Sequence, residues 1–205
     1  MEFQELIKMR RSANNFLPNV TITEEDLIPI FSDVKLAPSA FNLQHTVYIV
    51  VTDNELKEKV REAAFGQYKV HSSSAVIIAI ADRYAYKYTE SLHQGMVDLG
   101  MMSEFELRNT IEDNFTFYEG RGEQFMKEEA IRNASLSSMF FMLSAKNHGW
   151  DTCPMIGYND LQLRELLEVP DTHEIVLMIT IGKEKEQSRR LRGYRKPVGE
   201  FVKFM

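Results

Sequence analysis

Residues 75–81 read AVIIAIA, and residues 174–181 read EIVLMITI. Neither run alternates apolar with polar residues. A strand buried on one face only would alternate, so the first run predicts a strand inside a sheet covered on both faces. The second run predicts a further strong strand. Working outward, residues 46–51 (TVYIVV) are β-branched and aromatic and read as a third strand. Residues 152–156 read as a short strand. The tail, residues 198–204, offers a possible additional strand.

Helical signals lie between these runs. Residues 3–9 carry apolar side chains at Phe3, Leu6, Ile7 and Met9, which suits a short amphipathic helix ending at Arg10-Arg11-Ser12. Thr23 precedes Glu24-Glu25-Asp26, a capping pattern that predicts a helix to about Leu36, with Pro38 beyond its end. Asp53 or Asn54 caps a helix through about Ala64. Residues 124–148 form the longest helical segment. Leu136, Met139, Phe140 and Leu143 lie at i, i+3, i+4 and i+7 and predict its core face. Gly149 is a suitable stop. Asn159 caps a helix over 161–167. Residues 84–122 hold many aromatics and methionines and are expected to form helices and a mobile cover. Helices that precede, separate and follow strands imply one layered α/β domain across residues 1–205.

Composition narrows the function classes. The chain has 205 residues, 44% hydrophobic and 26% charged, with a formal net charge of -6. That balance argues against nucleic acid as a partner. No apolar run approaches a membrane span, so no membrane association is expected. The start, Met1-Glu2-Phe3-Gln4-Glu5, reads as no secretory signal. Cys153 is the single cysteine, and a cytoplasmic location is expected. The five histidines are scattered and no CxxC or HExxH occurs, so no metal site is expected. Gly120-Arg121-Gly122 opens like a dinucleotide fingerprint, but Phe125 stands where its third glycine belongs.

Four short stretches offer chemistry. Arg10-Arg11-Ser12 places two guanidiniums and a hydroxyl at a helix end, donors that suit a phosphate, although basic residues also suit a helix C-terminus by themselves. Residues 37–44 (APSAFNLQ) bring the donors and acceptors of Ser39, Asn42 and Gln44 between a helix and a strand; an ordinary turn has the same composition. Residues 153–158 (CPMIGY) end a strand at Gly157, where backbone can approach a ligand. Arg195-Lys196-Pro197 closes a basic run, residues 183–196, that also holds Arg189, Arg190 and Arg192.

In their order and spacing, these stretches resemble the nitroreductase family of FMN-dependent oxidoreductases, over residues 2 to about 203. The resemblance implies an α+β, three-layer α/β/α domain with a mixed, mainly antiparallel sheet, homodimeric with exchanged tails. It implies FMN as cofactor, NAD(P)H as electron donor, and small organic acceptors such as nitroaromatics or quinones, in a ping-pong cycle. Arg10, Arg11 and Ser12, with Arg195 and Lys196, would hold the FMN phosphate. Pro38, Ser39 and Ala40 would reach the flavin from the partner subunit, with Asn42 and Gln44 in the same shell. Gln67 and Lys69 would meet the ring edge, and Asn133 the ribityl chain or ring. Pro154, Met155, Ile156 and Gly157 would present backbone toward flavin N5. Phe41 stands where the family usually has a small residue and would face the substrate. Asn14 replaces a frequent cation near the pyrimidine, and His45-Thr46 replaces a common Pro-Trp. Other branches of the fold reduce enals, dehalogenate aromatics or fragment flavin, and a flavin-binding protein without turnover is a further alternative.

Overall fold

The computed structural model describes residues 2–205. Its centre is a four-stranded sheet in the order β1-β2-β4-β3, with β1 at Thr46–Val51, β2 at Ala75–Asp82, β3 at Asp151–Met155 and β4 at His173–Gly182. All pairings between these strands are antiparallel. The mixed character expected of the sheet shrinks, among the described residues, to an isolated parallel bridge between Ser12 and Thr152.

β2 is buried along its whole length, and its alternate side chains supply two cores. Ala75 and Ile77 join Ile179 and Ile181 under α2 (Glu24–Val34) and α7 (Gly122–Asn147). Val76, Ile78 and Ile80 join Met178 on the other face. There they meet Val60 and Ala63 of α3 (Asn54–Ala63), Val70 of α4 (Tyr68–Ser72) and Leu163 of α8 (Asp160–Leu166). The result is the three-layer α/β/α arrangement. A bulge between Ala79 and Ile80 on the β4 side adjusts the register at the end nearest Thr46.

The helix starts follow from local chemistry. Thr23 Oγ1 accepts from Asp26 N while the Asp26 carboxylate accepts from Thr23 N, a reciprocal cap. Asp53, not Asn54, caps α3 by accepting from Leu56 N at 2.8 Å. Asn159 caps α8. Residues 84–122 form a helical excursion: α5 (Thr89–Asp98) and α6 (Glu104–Glu119) follow a 3-10 turn at Ala85–Tyr88. Tyr86, Tyr118 and Met126 pack there with Leu43 and Ala85.

Two expectations are corrected. The tail does not form a strand over 198–204; α9 covers Val198–Phe201 and the chain then runs free of the sheet. Its β-prone residues have no neighbouring strand to pair with inside one chain. The long helix α7 is present, but its core face is not the one the large side chains marked. Leu136, Met139 and Phe140 are 48%, 42% and 39% exposed. The buried face instead carries Ala130, Asn133, Ala134, Ser137, Ser138, Phe141 and Ala145. Small residues let this helix lie close over the sheet.

Candidate functional site

One group of predicted residues gathers at the β3 edge of the sheet. α1 (Phe3–Met9) ends at Arg10, and the chain then bridges to β3 through Ala13 N donating to Thr152 O at 3.0 Å. This brings Arg10 and Ser12 alongside Cys153. Lys69, on α4, points its Nζ at Cys153 Sγ, 3.6 Å away. Burial pushes the Cys153 thiol up in pKa, while Lys69 and Arg10 pull against that shift. At the end of β3, Gln67 Nε2 donates to Gly157 O at 2.9 Å. A Cβ on Gly157 would lie 3.1 Å from that same amide nitrogen, so glycine leaves Gln67 its place. Ile156 is 80% exposed and Gly157 half-buried, so this turn lies at the surface. Met155, by contrast, sends its side chain into the core, and Pro154 is half-buried.

Positive charge collects at the same edge. Burial lowers the pKa of Arg10 first, and the neighbouring charges of Arg192 and Arg195 lower it further. Among the described residues, none of Arg10, Lys69, Arg192 and Arg195 forms an ion pair, although the chain as a whole is acidic. Uncompensated guanidiniums held near one another favour an anion with geometry for bidentate bonding, such as phosphate. Arg192 was not singled out from the sequence; its only signal was membership of the basic run. Arg11 and Asn14 are half-buried, and Lys196 is exposed.

A second group gathers at the opposite edge, beside β1. Ala40 N donates to Asn133 Oδ1 at 2.8 Å, and Gln44 N donates to Ser39 Oγ at 2.9 Å. Asn133 is buried, and its Nδ2 donates to the backbone and side-chain oxygens of Glu129. The bond from Ala40 N ties the loop to α7, and the two bonds to Glu129, within α7, hold the amide in the orientation that accepts it, which makes Asn133 a positioning residue for residues 39–44. Sequence spacing hinted at this partner, since Glu129 and Asn133 stand four apart on one helix. Phe41, Asn42 and Gln44 all have left-handed backbone, with φ of 51°, 55° and 50°. Three non-glycine residues held this way in one loop store strain, of order 1–3 kcal/mol each, which the anchoring bonds must hold. Phe41 remains 47% exposed while its ring meets Phe117 edge-on, with centroids 5.0 Å apart. A cavity of about 210 Å³ lies here, lined by Pro38, Ser39, Gln44, Tyr48, Asn133 and Ser137 among others.

The two groups therefore occupy opposite margins of the sheet. Three strand spacings separate β1 from β3, roughly 14 Å at about 4.8 Å each. The cavity beside β1 is also smaller than the roughly 300–1,000 Å³ of ordinary small-molecule sites. Among the described residues, no cluster of His, Cys, Asp or Glu could hold a metal, and no helix is long and apolar enough to cross a membrane.

Comparison with known proteins bears on this geometry. A protein of Bacillus subtilis (strain 168) named "Putative NAD(P)H nitroreductase MhqN" is 55% identical over 204 residues, covering 100% of this chain and 99% of its own. A crystal structure from Bacillus subtilis described as a "putative nitroreductase" superposes with a TM-score of 0.97 at 55% identity, covering 99% of this chain and 98% of that one. A chain from Exiguobacterium sibiricum 255-15, described as a "putative nitroreductase in complex with FMN", superposes with a TM-score of 0.93 at 29% identity, covering 100% and 98%. The family description "Nitroreductase family" matches residues 7–183. With that match spanning most of its length and a relative 55% identical over the whole of it, the chain belongs to the Nitroreductase family.

Proposed function

We propose that this protein binds FMN between two copies of the chain and passes electrons from NAD(P)H to small organic acceptors, nitroaromatics or quinones. The observation that carries the reading is the unpaired cluster Arg10, Arg192 and Arg195 beside Ser12, at one end of a β3 edge that also offers Lys69, Gln67 and the surface turn at Ile156 and Gly157. A phosphate dianion needs such uncompensated cations. Further along the same edge, a flavin ring needs mixed donors and acceptors, which the amides and Lys69 provide.

FMN, when bound, supplies hydride and electron transfer. This chain's own residues bind and orient. Arg10, Ser12, Arg195 and Lys196 hold the phosphate end. Gln67 and Lys69 meet the ring edge. Pro38, Ser39, Ala40, Asn42 and Gln44 of a second copy close over the ring from its β1 edge, with Phe41 bounding the acceptor. The separation of the half-sites supports a dimer, as does the exposed apolar stripe Leu136, Met139 and Phe140. The free outer edge of β1 and the exposed tail residues Val198, Phe201 and Phe204 support exchanged tails. One pocket shared in turn by donor and acceptor gives a ping-pong cycle.

The test is the visible spectrum of the purified protein, followed by NAD(P)H without oxygen. A yellow protein that bleaches supports the reading. A protein that stays colourless after incubation with FMN overturns it. Two further results are expected. Met139→Lys places a charge in the apolar stripe; sedimentation should show a monomer with unchanged far-ultraviolet circular dichroism and at least about a tenfold loss of FMN affinity. A variant that remains dimeric would remove α7 from the interface. Lys69→Met removes a cation from the ring edge and should lower the flavin midpoint potential; an unchanged potential would deny Lys69 that role.

A further inference from the structure

We propose that Arg192 is a positioning residue that fastens the segment after β4 to the end of α1 and so sets Arg10 for the phosphate; this rests on the FMN reading above. The last carbonyls of a helix lack partners within it. Here Arg192 Nη2 donates to Lys8 O and Arg10 O, both at 2.7 Å, and more weakly to Ile7 O at 3.4 Å. A cation at that end also faces the negative pole of the helix. α1 has only seven residues and buries none of them, so its end is held by few contacts, chiefly the bridge from Ser12 and Ala13 to Thr152 and these bonds from Arg192. Arg195 lies close by and bonds only carbonyls, those of Gly193 and Tyr194, both at 3.0 Å.

The arrangement has a thermodynamic consequence. Arg10 is flanked by the like charges of Arg192 and Arg195. Carbonyl oxygens fix Arg192 and Arg195 without neutralising them, so bringing residues 189–197 onto α1 raises local repulsion. A dianion at Arg10 relieves it. Docking of the segment and binding of the phosphate therefore favour each other, and by linkage each strengthens the other equally.

The experiment compares the wild-type chain with Arg192→Gln in titrations with FMN and with riboflavin, which lacks the phosphate. Amide hydrogen exchange is followed over residues 7–12 and 189–197. Arg192→Gln should weaken FMN by roughly tenfold and change riboflavin by less than about twofold. In wild type, FMN should slow exchange in both segments. In Arg192→Gln saturated with FMN, residues 189–197 should stay fast. Unchanged FMN affinity, an equal loss for both flavins, or slowed exchange at 189–197 in the variant would each overturn the proposal. Wild-type protein that binds riboflavin but not FMN would overturn the phosphate assignment and this inference with it. Wild-type protein that binds neither flavin would overturn the FMN reading itself, and leave Arg192 no phosphate to position for.

Discussion

Asn133→Ala is expected to lower the melting temperature by about 4–8 °C and to weaken FMN binding by at least about tenfold. Asn133 Oδ1 is the acceptor for Ala40 N, and Asn133 Nδ2 serves Glu129. Removing a buried partner leaves the others unsatisfied, at about 1–3 kcal/mol. A loss near 2 kcal/mol corresponds to that temperature shift for a domain of this size. The loop it holds contains three left-handed residues, Phe41, Asn42 and Gln44. Once unpinned, these relax toward ordinary backbone and carry Ser39 and Ala40 away from the position they would offer a flavin. Thermal circular dichroism and flavin fluorescence titration check both parts. A variant with wild-type melting and wild-type affinity would show that the loop keeps its shape without Asn133.

The second expected result concerns acid. His45 lies at the head of β1, buried, with Nδ1 lacking any partner among the described residues and Nε2 3.5 Å from the Tyr118 hydroxyl. Burial brings its pKa down from 6.5 to about 4, opposed only in part by Asp82. The sign follows directly. Between pH 6.5 and 4 the unfolded chain takes up a proton that the native imidazole refuses, so stability falls as pH falls through this window. Above pH 6.5 both states are neutral and His45 contributes no slope. Below pH 4 both states are protonated and the penalty is complete. Its size is on the order of 3 kcal/mol. Urea unfolding at stepped pH should show this slope, and His45→Gln should flatten it whatever its effect at pH 7. A variant with the same slope as wild type would assign the acid sensitivity to other groups.

Much of the architecture was legible because its causes are local. The strands at 46–51, 75–81 and 174–181 are runs of β-branched residues with no competing helical period. Thr23, Asp53 and Asn159 are caps whose chemistry acts over three residues. The face of α7 was not legible. Pattern reading assigns large apolar residues to the core, yet this helix lies close over a sheet and buries Ala, Ser and Asn there. Its leucine, methionine and phenylalanine stripe points away from its own domain, on the face proposed here for the dimer. The tail failed for a related reason: β-prone residues need a neighbouring strand. The motifs at 10–12, 37–44 and 154–157 marked the stretches proposed here to hold FMN. They could not show that the β3 edge and the β1 edge stand three strands apart. Arg192 stayed hidden because it bonds backbone carbonyls, and carbonyls carry no sequence signature.

The division of the site between two sheet margins has a genetic consequence. In the proposed dimer, each site joins the β3 edge of one chain to the β1 loop of the other. A chain carrying Arg10→Gln is then defective only in its β3 half, and a chain carrying Asn133→Ala only in its β1 half. When the two assemble together, both lesions fall into one site. The other site inherits two sound halves. Two alleles that each weaken FMN binding in every site of their own dimers would complement one another, up to half the normal number of sites per mixed dimer.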